Sequence, residues 1–202
     1  TLNGANLIDT LGAVTAANLS LTNAQTLAVN GPLVIGGGAG DISLTTTAGA
    51  LQINSALTGD AIALDAAGDL NLAANVSGMT VDLQSGANIA QSAGVLSAGT
   101  LTGSSTGSTT LTQANAITTL GAFTANRLAL SNAQTLTVTG PVDGGASTAL
   151  TTSSGNLVLN GNVSGTATAL NAAGSISQAT ERTRGSVHSS RARSRQGRGG
   201  GQ

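Results

Sequence analysis

Leu11 to Leu33 reads LGAVTAANLSLTNAQTLAVNGPL, and Leu120 to Val142 reads LGAFTANRLALSNAQTLTVTGPV. The second stretch repeats the first 109 residues later with its apolar positions intact. Such reuse of one core-and-surface pattern is the signature of stacked units in which each layer touches only its neighbours. The layer is readable from the aliphatic residues. Ile42 and Leu44, Ile62 and Leu64, then Val81 and Leu83 are x-apolar-x-apolar pairs spaced 20 and 19 apart, and Leu51, Leu70 and Ile89 form a second series spaced 19 and 19. The second copy keeps the period, since Leu150 to Leu170 is 20 and Leu157 to Ile176 is 19. Leu83, Leu101 and Leu120 carry it between the copies in steps of 18 and 19.

One irregularity fits the same scheme. Leu21 to Leu44 spans 23 residues where Leu130 to Leu150 spans 20, because Val34 to Asp41 (VIGGGAGD) is three residues longer than its counterpart at Asp143 to Ser147. A glycine-rich surface turn absorbs such an insertion without moving the strands.

Within a rung, apolar residues alternate with Ser, Thr, Asn or Ala over three to five positions, the period of a half-buried strand. No segment keeps apolar residues at i, i+3, i+4 and i+7, and Gly or Asn interrupts every ten residues or fewer, so helix is a poor alternative. Short strands that return to the same place each rung describe an all-β parallel β-helix of 19–20-residue rungs. About nine rungs fit in residues 1–178, a rod on the order of 40 Å long.

Composition agrees. The chain has 29 Gly, one Phe, no Trp, Tyr or Cys, and only 7% charged residues. A narrow lumen accepts stacked Leu, Ile, Val and Ala but few rings, and Phe123, which replaces Val14 of the first copy, reads as a larger core filler. Asn18, Asn23, Asn54, Asn71, Asn88, Asn132, Asn160 and Asn171 read as turn residues that ladder between rungs. The lack of cysteine excludes a disulfide framework and thiolate metal sites. No apolar run is long enough to span a membrane as a helix, so membrane insertion is not expected. Thr1 to Ile8 (TLNGANLI) matches Thr110 to Ile117 (TLTQANAI) in mid-pattern, and the chain therefore reads as a piece of a longer array whose open ends would associate end to end.

Leu83 to Ala125 (LQSGANIAQSAGVLSAGTLTGSSTGSTTLTQANAITTLGAFTA), with its GANIAQ turn echoed by Gly174 to Gln178 (GSISQ), resembles the repeat region of filamentous haemagglutinin-like large exoproteins. The resemblance covers residues 1–178. It implies a right-handed β-helix within a bacterial adhesin of the two-partner secretion, autotransporter-like kind. It further implies an extracellular or cell-surface location, export of the full-length protein by an outer-membrane transporter, and host or bacterial surface glycans and proteins as partners.

Few residues carry chemistry. His188 is the sole histidine, so neither a histidine metal cluster nor a Ser-His-Asp arrangement can be assembled. Asp60, Asp65 and Asp69 are the one acid cluster worth weighing, because polysaccharide-cleaving enzymes use grouped acids. Their counterparts in the second copy, Thr166, Asn171 and Ser175, keep turn character and discard charge. Gly36 to Leu44 (GGGAGDISL) approaches the calcium nonapeptide but places Asp41 directly after Gly40, one residue out of register. Asn18, Asn75 and Asn162 open Asn-x-Ser triplets, a pattern that chance supplies in so Asn- and Ser-rich a chain. Thr45 to Thr47 and Thr100 to Thr112 raise ice binding, which would need Thr at one site in every rung, whereas the sequence matches in other rungs are Ala, Asn or Gly.

Charge divides the chain. Residues 1–180 hold seven Asp and Arg127, a net of −6, while residues 181–202 hold Glu181 and six Arg (Arg182, Arg184, Arg191, Arg193, Arg195 and Arg198), a net of +5. The segment 179–202 has too little apolar content to order itself and reads as a disordered Arg-rich tail, native or translated in a shifted frame. Without aromatics among its arginines, and beside an acidic body, it argues against nucleic acid. The sequence therefore predicts no catalytic, cofactor-binding or metal residues and no cofactor. The expected function is a non-enzymatic stalk or adhesin segment, with a carbohydrate-active β-helix enzyme of lyase or hydrolase type as the alternative.

Overall fold

The computed structural model describes residues 1–179. They form 23 β-strands, every pairing parallel, in one continuous sheet that winds through about nine turns. One 3-10 turn at Gly36–Gly38 interrupts the strands. The Arg-rich segment and His188 lie outside the described residues.

Each early rung has three sides. A first face carries Leu19–Asn23, Ile42–Thr46 and Ala61–Ala66; a second carries Leu27–Val29, Leu51–Ile53, Leu70–Leu72 and Ile89–Gln91; a third carries Val14–Ala16, Leu33–Ile35 and Leu57–Thr58. The expected columns are present. Leu44, Leu64 and Leu83 are successive partners on the first face, and Leu51, Leu70 and Ile89 on the second, all buried. Alternation fixes this geometry, because a strand turns successive side chains to opposite sides and only one side meets the lumen. Burial of each such aliphatic side chain contributes about 1.5–3 kcal/mol.

One register differs from the expected series. Leu101 pairs with Val81 and Leu120, whereas Leu83 pairs with Gly103 and then Phe123. Gly103 presents no side chain to mark its place in the hydrophobic pattern, and Leu101, two residues earlier, is the nearest aliphatic residue. The glycine is required there: a Cβ on it would collide with the Leu83 carbonyl and lie 2.7 Å from Phe123 Cε2. Phe123, 1% exposed, fills the space that Gly103 leaves.

The three-residue insertion sits in the turn after Ile35. Gly36, Gly37 and Gly38 all have positive φ, and Gly40 N donates to Ile35 O at 3.1 Å, returning the chain to its starting point. Leu21 thus pairs with Leu44 as Leu130 pairs with Leu150.

The two copies do not occupy the same faces. The first-face column runs Leu21, Leu44, Leu64, Leu83, Gly103, Phe123, Val142 and Val163. Leu130, the counterpart of Leu21, lies seven residues beyond Phe123 in the step of nineteen to Val142, about a third of a turn further round. Its strand, Arg127–Asn132, pairs with Ser108–Leu111 on the second face. The long strands of the second copy, Ser147–Thr152 and Ala167–Ala172, follow it there. Between the copies the corners are smoothed into long strands, Val76–Ser85, Leu96–Ser105 and Ser108–Thr124.

Buried asparagines tie the corners. Asn23 and Asn132 are fully buried, not surface turn residues. Asn23 Oδ1 accepts Ile8 N at 2.8 Å and its Nδ2 donates to Ile8 O and Gln25 O; Asn132 does the same with Ile117 and Gln134. Above them stand Thr46 and Ala66 in one copy, Thr152 and Ala172 in the other. Asn54 to Asn30, at 2.8 Å, is a ladder of the expected external kind. Gln91 and Asn115 form a reciprocal amide pair inside the lumen, at 2.8 and 3.0 Å. Among the described residues, no buried side-chain polar atom lacks a partner.

Candidate functional site

The outer surface of the first face holds the greatest concentration of polar side chains that share hydrogen bonds. Its strands pair in parallel with matched register, so outward residues form axial columns one rung apart, about 4.8 Å. One column runs Ser43, Ala63, Asp82 and Thr102; another runs Thr45, Asp65, Gln84 and Ser104. Asp82 is the hub. Thr102 Oγ1 donates to its Oδ1 at 2.7 Å, Gln84 Nε2 donates to both of its oxygens at 3.1 Å, and Ser104 Oγ donates to Gln84 Oε1. Beside this network lies an open depression of about 370 Å3 that reaches from Asp41 to Thr102 across four rungs.

Of the three acids singled out in the sequence, the fold keeps Asp60 and Asp65 apart. Asp60 is at the corner before Ala61–Ala66 and Asp65 near that strand's far end, roughly 16 Å of extended chain away. Asp69 lies past the next corner, where its Oδ1 accepts both Asn88 N and Asn88 Nδ2 at 3.0 Å and so binds one rung to the next. The carboxylate nearest Asp65 in the lattice of strands is Asp82, one rung away and offset by two residues, roughly 8 Å between backbones. Sequence reasoning missed Asp82 as a neighbour, since the juxtaposition depends on the register of strands 19 residues apart.

Asp41 has a turn role. Its amide donates to Asn18 Oδ1 at 2.9 Å and its Oδ1 accepts Ala61 N at 3.3 Å. No three His, Cys, Asp or Glu side chains come together among the described residues. Two of the Asn-x-Ser asparagines are likewise engaged between rungs, Asn18 by Asp41 and Asn75 by Val95 N at 2.8 Å.

A threonine ladder exists that the sequence comparison overlooked. Thr80, Thr100, Thr119 and Thr137 are successive partners, bounded by Ala61 below and Val158 above. It crosses from one copy into the other, where the face offset hides it from alignment by repeat. Beside Thr80 the adjacent column holds Asp82 where a flat two-column threonine array would need Thr, so ice binding gains nothing from it. Among the described residues, Arg127 is the one Arg or Lys, and no helix is long and apolar enough to cross a membrane. No family model, curated protein or solved structure matches the chain.

Proposed function

We propose that residues 1–178 are a non-enzymatic stalk and adhesive segment of a bacterial secreted or cell-surface exoprotein of the filamentous haemagglutinin-like class. The observation that carries this reading is the unbroken parallel stack, which makes a rigid rod whose outer columns are mostly Ser, Thr, Asn and Gln. A rod of this kind holds binding surfaces at a distance, and its short polar side chains suit glycan or protein surfaces better than they suit bond cleavage. Export through an outer-membrane transporter and an extracellular location belong to the same proposal.

Beads coated with the purified chain are expected to adhere to epithelial or bacterial surfaces above albumin-coated beads; adhesion equal to albumin would sink the proposal. The enzyme alternative draws on the proximity of Asp65 and Asp82. Incubated with neutral and acidic polysaccharides, the chain is expected to leave chain lengths unchanged, and joint replacement of Asp60, Asp65, Asp69 and Asp82 by Asn is expected to alter nothing. Cleavage that disappears in this variant would replace the adhesin reading with the enzyme.

A further inference from the structure

The depression on the first face is made by a local shortage of side chain. Ala61 and Ala63 form its floor, between Ser43 on the rung before and Thr80 and Asp82 on the rung after. It continues to Thr100 and Thr102, so its long direction follows the rod axis for roughly 14 Å. Polar groups line three of its four rungs, at Asp41 and Ser43, at Thr80 and Asp82, and at Thr100 and Thr102, and the rung spacing is close to the advance per sugar of an extended polymer. Their chemistry is mixed. Asp82 offers acceptor lone pairs but is held in place by Thr102 and Gln84, and the Ser and Thr hydroxyls can donate or accept.

Charge narrows the occupant. Among the described residues the lining has Asp41 and Asp82 and no cation, and Arg127 is placed on the second face. A uronate or sulfated chain would meet like charge with no counter-ion among those residues, whereas an uncharged, hydroxyl-bearing chain would not. We propose that this groove binds an unbranched neutral polysaccharide lying parallel to the rod axis, with ring hydroxyls donating to Asp82 and sugar carbons resting on Ala61 and Ala63. The inference deepens the adhesin reading and rests on it.

The test uses the full chain and a panel of neutral hexasaccharides (cellohexaose, xylohexaose, mannohexaose and maltohexaose), with hexagalacturonate as the anionic counterpart, all read by calorimetry. At least one neutral probe is expected to bind more tightly than hexagalacturonate. Ala63→Trp, which fills the floor, is expected to weaken that binding at least tenfold, and Asp82→Ala at least fivefold. Ala90→Trp, an outward position on the second face, is expected to leave it within twofold. Circular dichroism checks that each variant folds, and Asp82→Ala serves if Ala63→Trp does not. Binding by no neutral probe, tighter binding of hexagalacturonate, or equal binding by both groove variants would overturn the proposal. Bead adhesion measured on the same proteins separates the two readings: adhesion without hexasaccharide binding ends the groove proposal alone, while absence of adhesion ends the function on which it rests.

Discussion

At the scale of single residues, the rod depends on polar and small side chains placed where aliphatic stacking fails. Asn132 satisfies three backbone groups at a buried corner. Asn132→Ala orphans them, and since an unmet buried group costs about 1–3 kcal/mol, the urea midpoint is expected to fall by the equivalent of at least about 2 kcal/mol. Asn54→Ala, at an exposed ladder, is expected to stay within about 0.5 kcal/mol; similar losses for both would show that the corner amide has no special role. The Gly103 and Phe123 pair is a second case. Gly103→Ala is expected to destabilise by about 1–3 kcal/mol through overpacking. Phe123→Val in the same chain should recover only part of that loss, because the Leu83 carbonyl still obstructs the new methyl. A double-mutant cycle measures the shared part, and full recovery would mean the ring alone required the glycine.

At the scale of the strand, two-residue alternation decides everything else. Leu64 faces the lumen and Asp65, its neighbour, faces solvent. Leu64→Asp buries an unpaired carboxylate and is expected to cost several kcal/mol, with amide protection lost first in the rungs of Leu44 and Leu83; wild-type-like melting would place the position outside the core. The glycine turn offers the opposite test. Deleting residues 37–39 should keep Leu21 beside Leu44, as the shorter turn of the second copy keeps Leu130 beside Leu150, and change stability by no more than about 1 kcal/mol. Loss of amide protection across Ile42–Thr46 would show that the insertion supports the strand. Alternation is why strands, faces and columns were legible in the sequence. The pairing of Leu83 with Gly103 was not, because a residue without a side chain leaves no mark in a hydrophobic pattern. The buried asparagines were hidden for a related reason: the same residue type serves at exposed turns, and only the fold separates the two. The candidate groove was illegible as well, since Ala63, Asp82 and Thr102 are brought together by rung register alone.

At the scale of the whole molecule, each rung rests on its neighbours and stability is a sum of local interfaces. Native-state hydrogen exchange is therefore expected to rank amides by distance from the ends, with Leu83, Leu101 and Leu120 among the slowest; uniform exchange along the rod would indicate one all-or-none unit. The offset of about a third of a turn between the copies bears on how such a chain can be inherited. The 109-residue repeat does not respect the boundary of a turn, and the sheet accommodates the mismatch by moving its corners rather than by breaking. Growth by unequal recombination is thus open to inserts of almost any length, provided that inward and outward positions resume in phase. A surface motif copied this way would wind round the rod like the stripe of a screw, and three such units, about sixteen turns, would bring it back to the side from which it began.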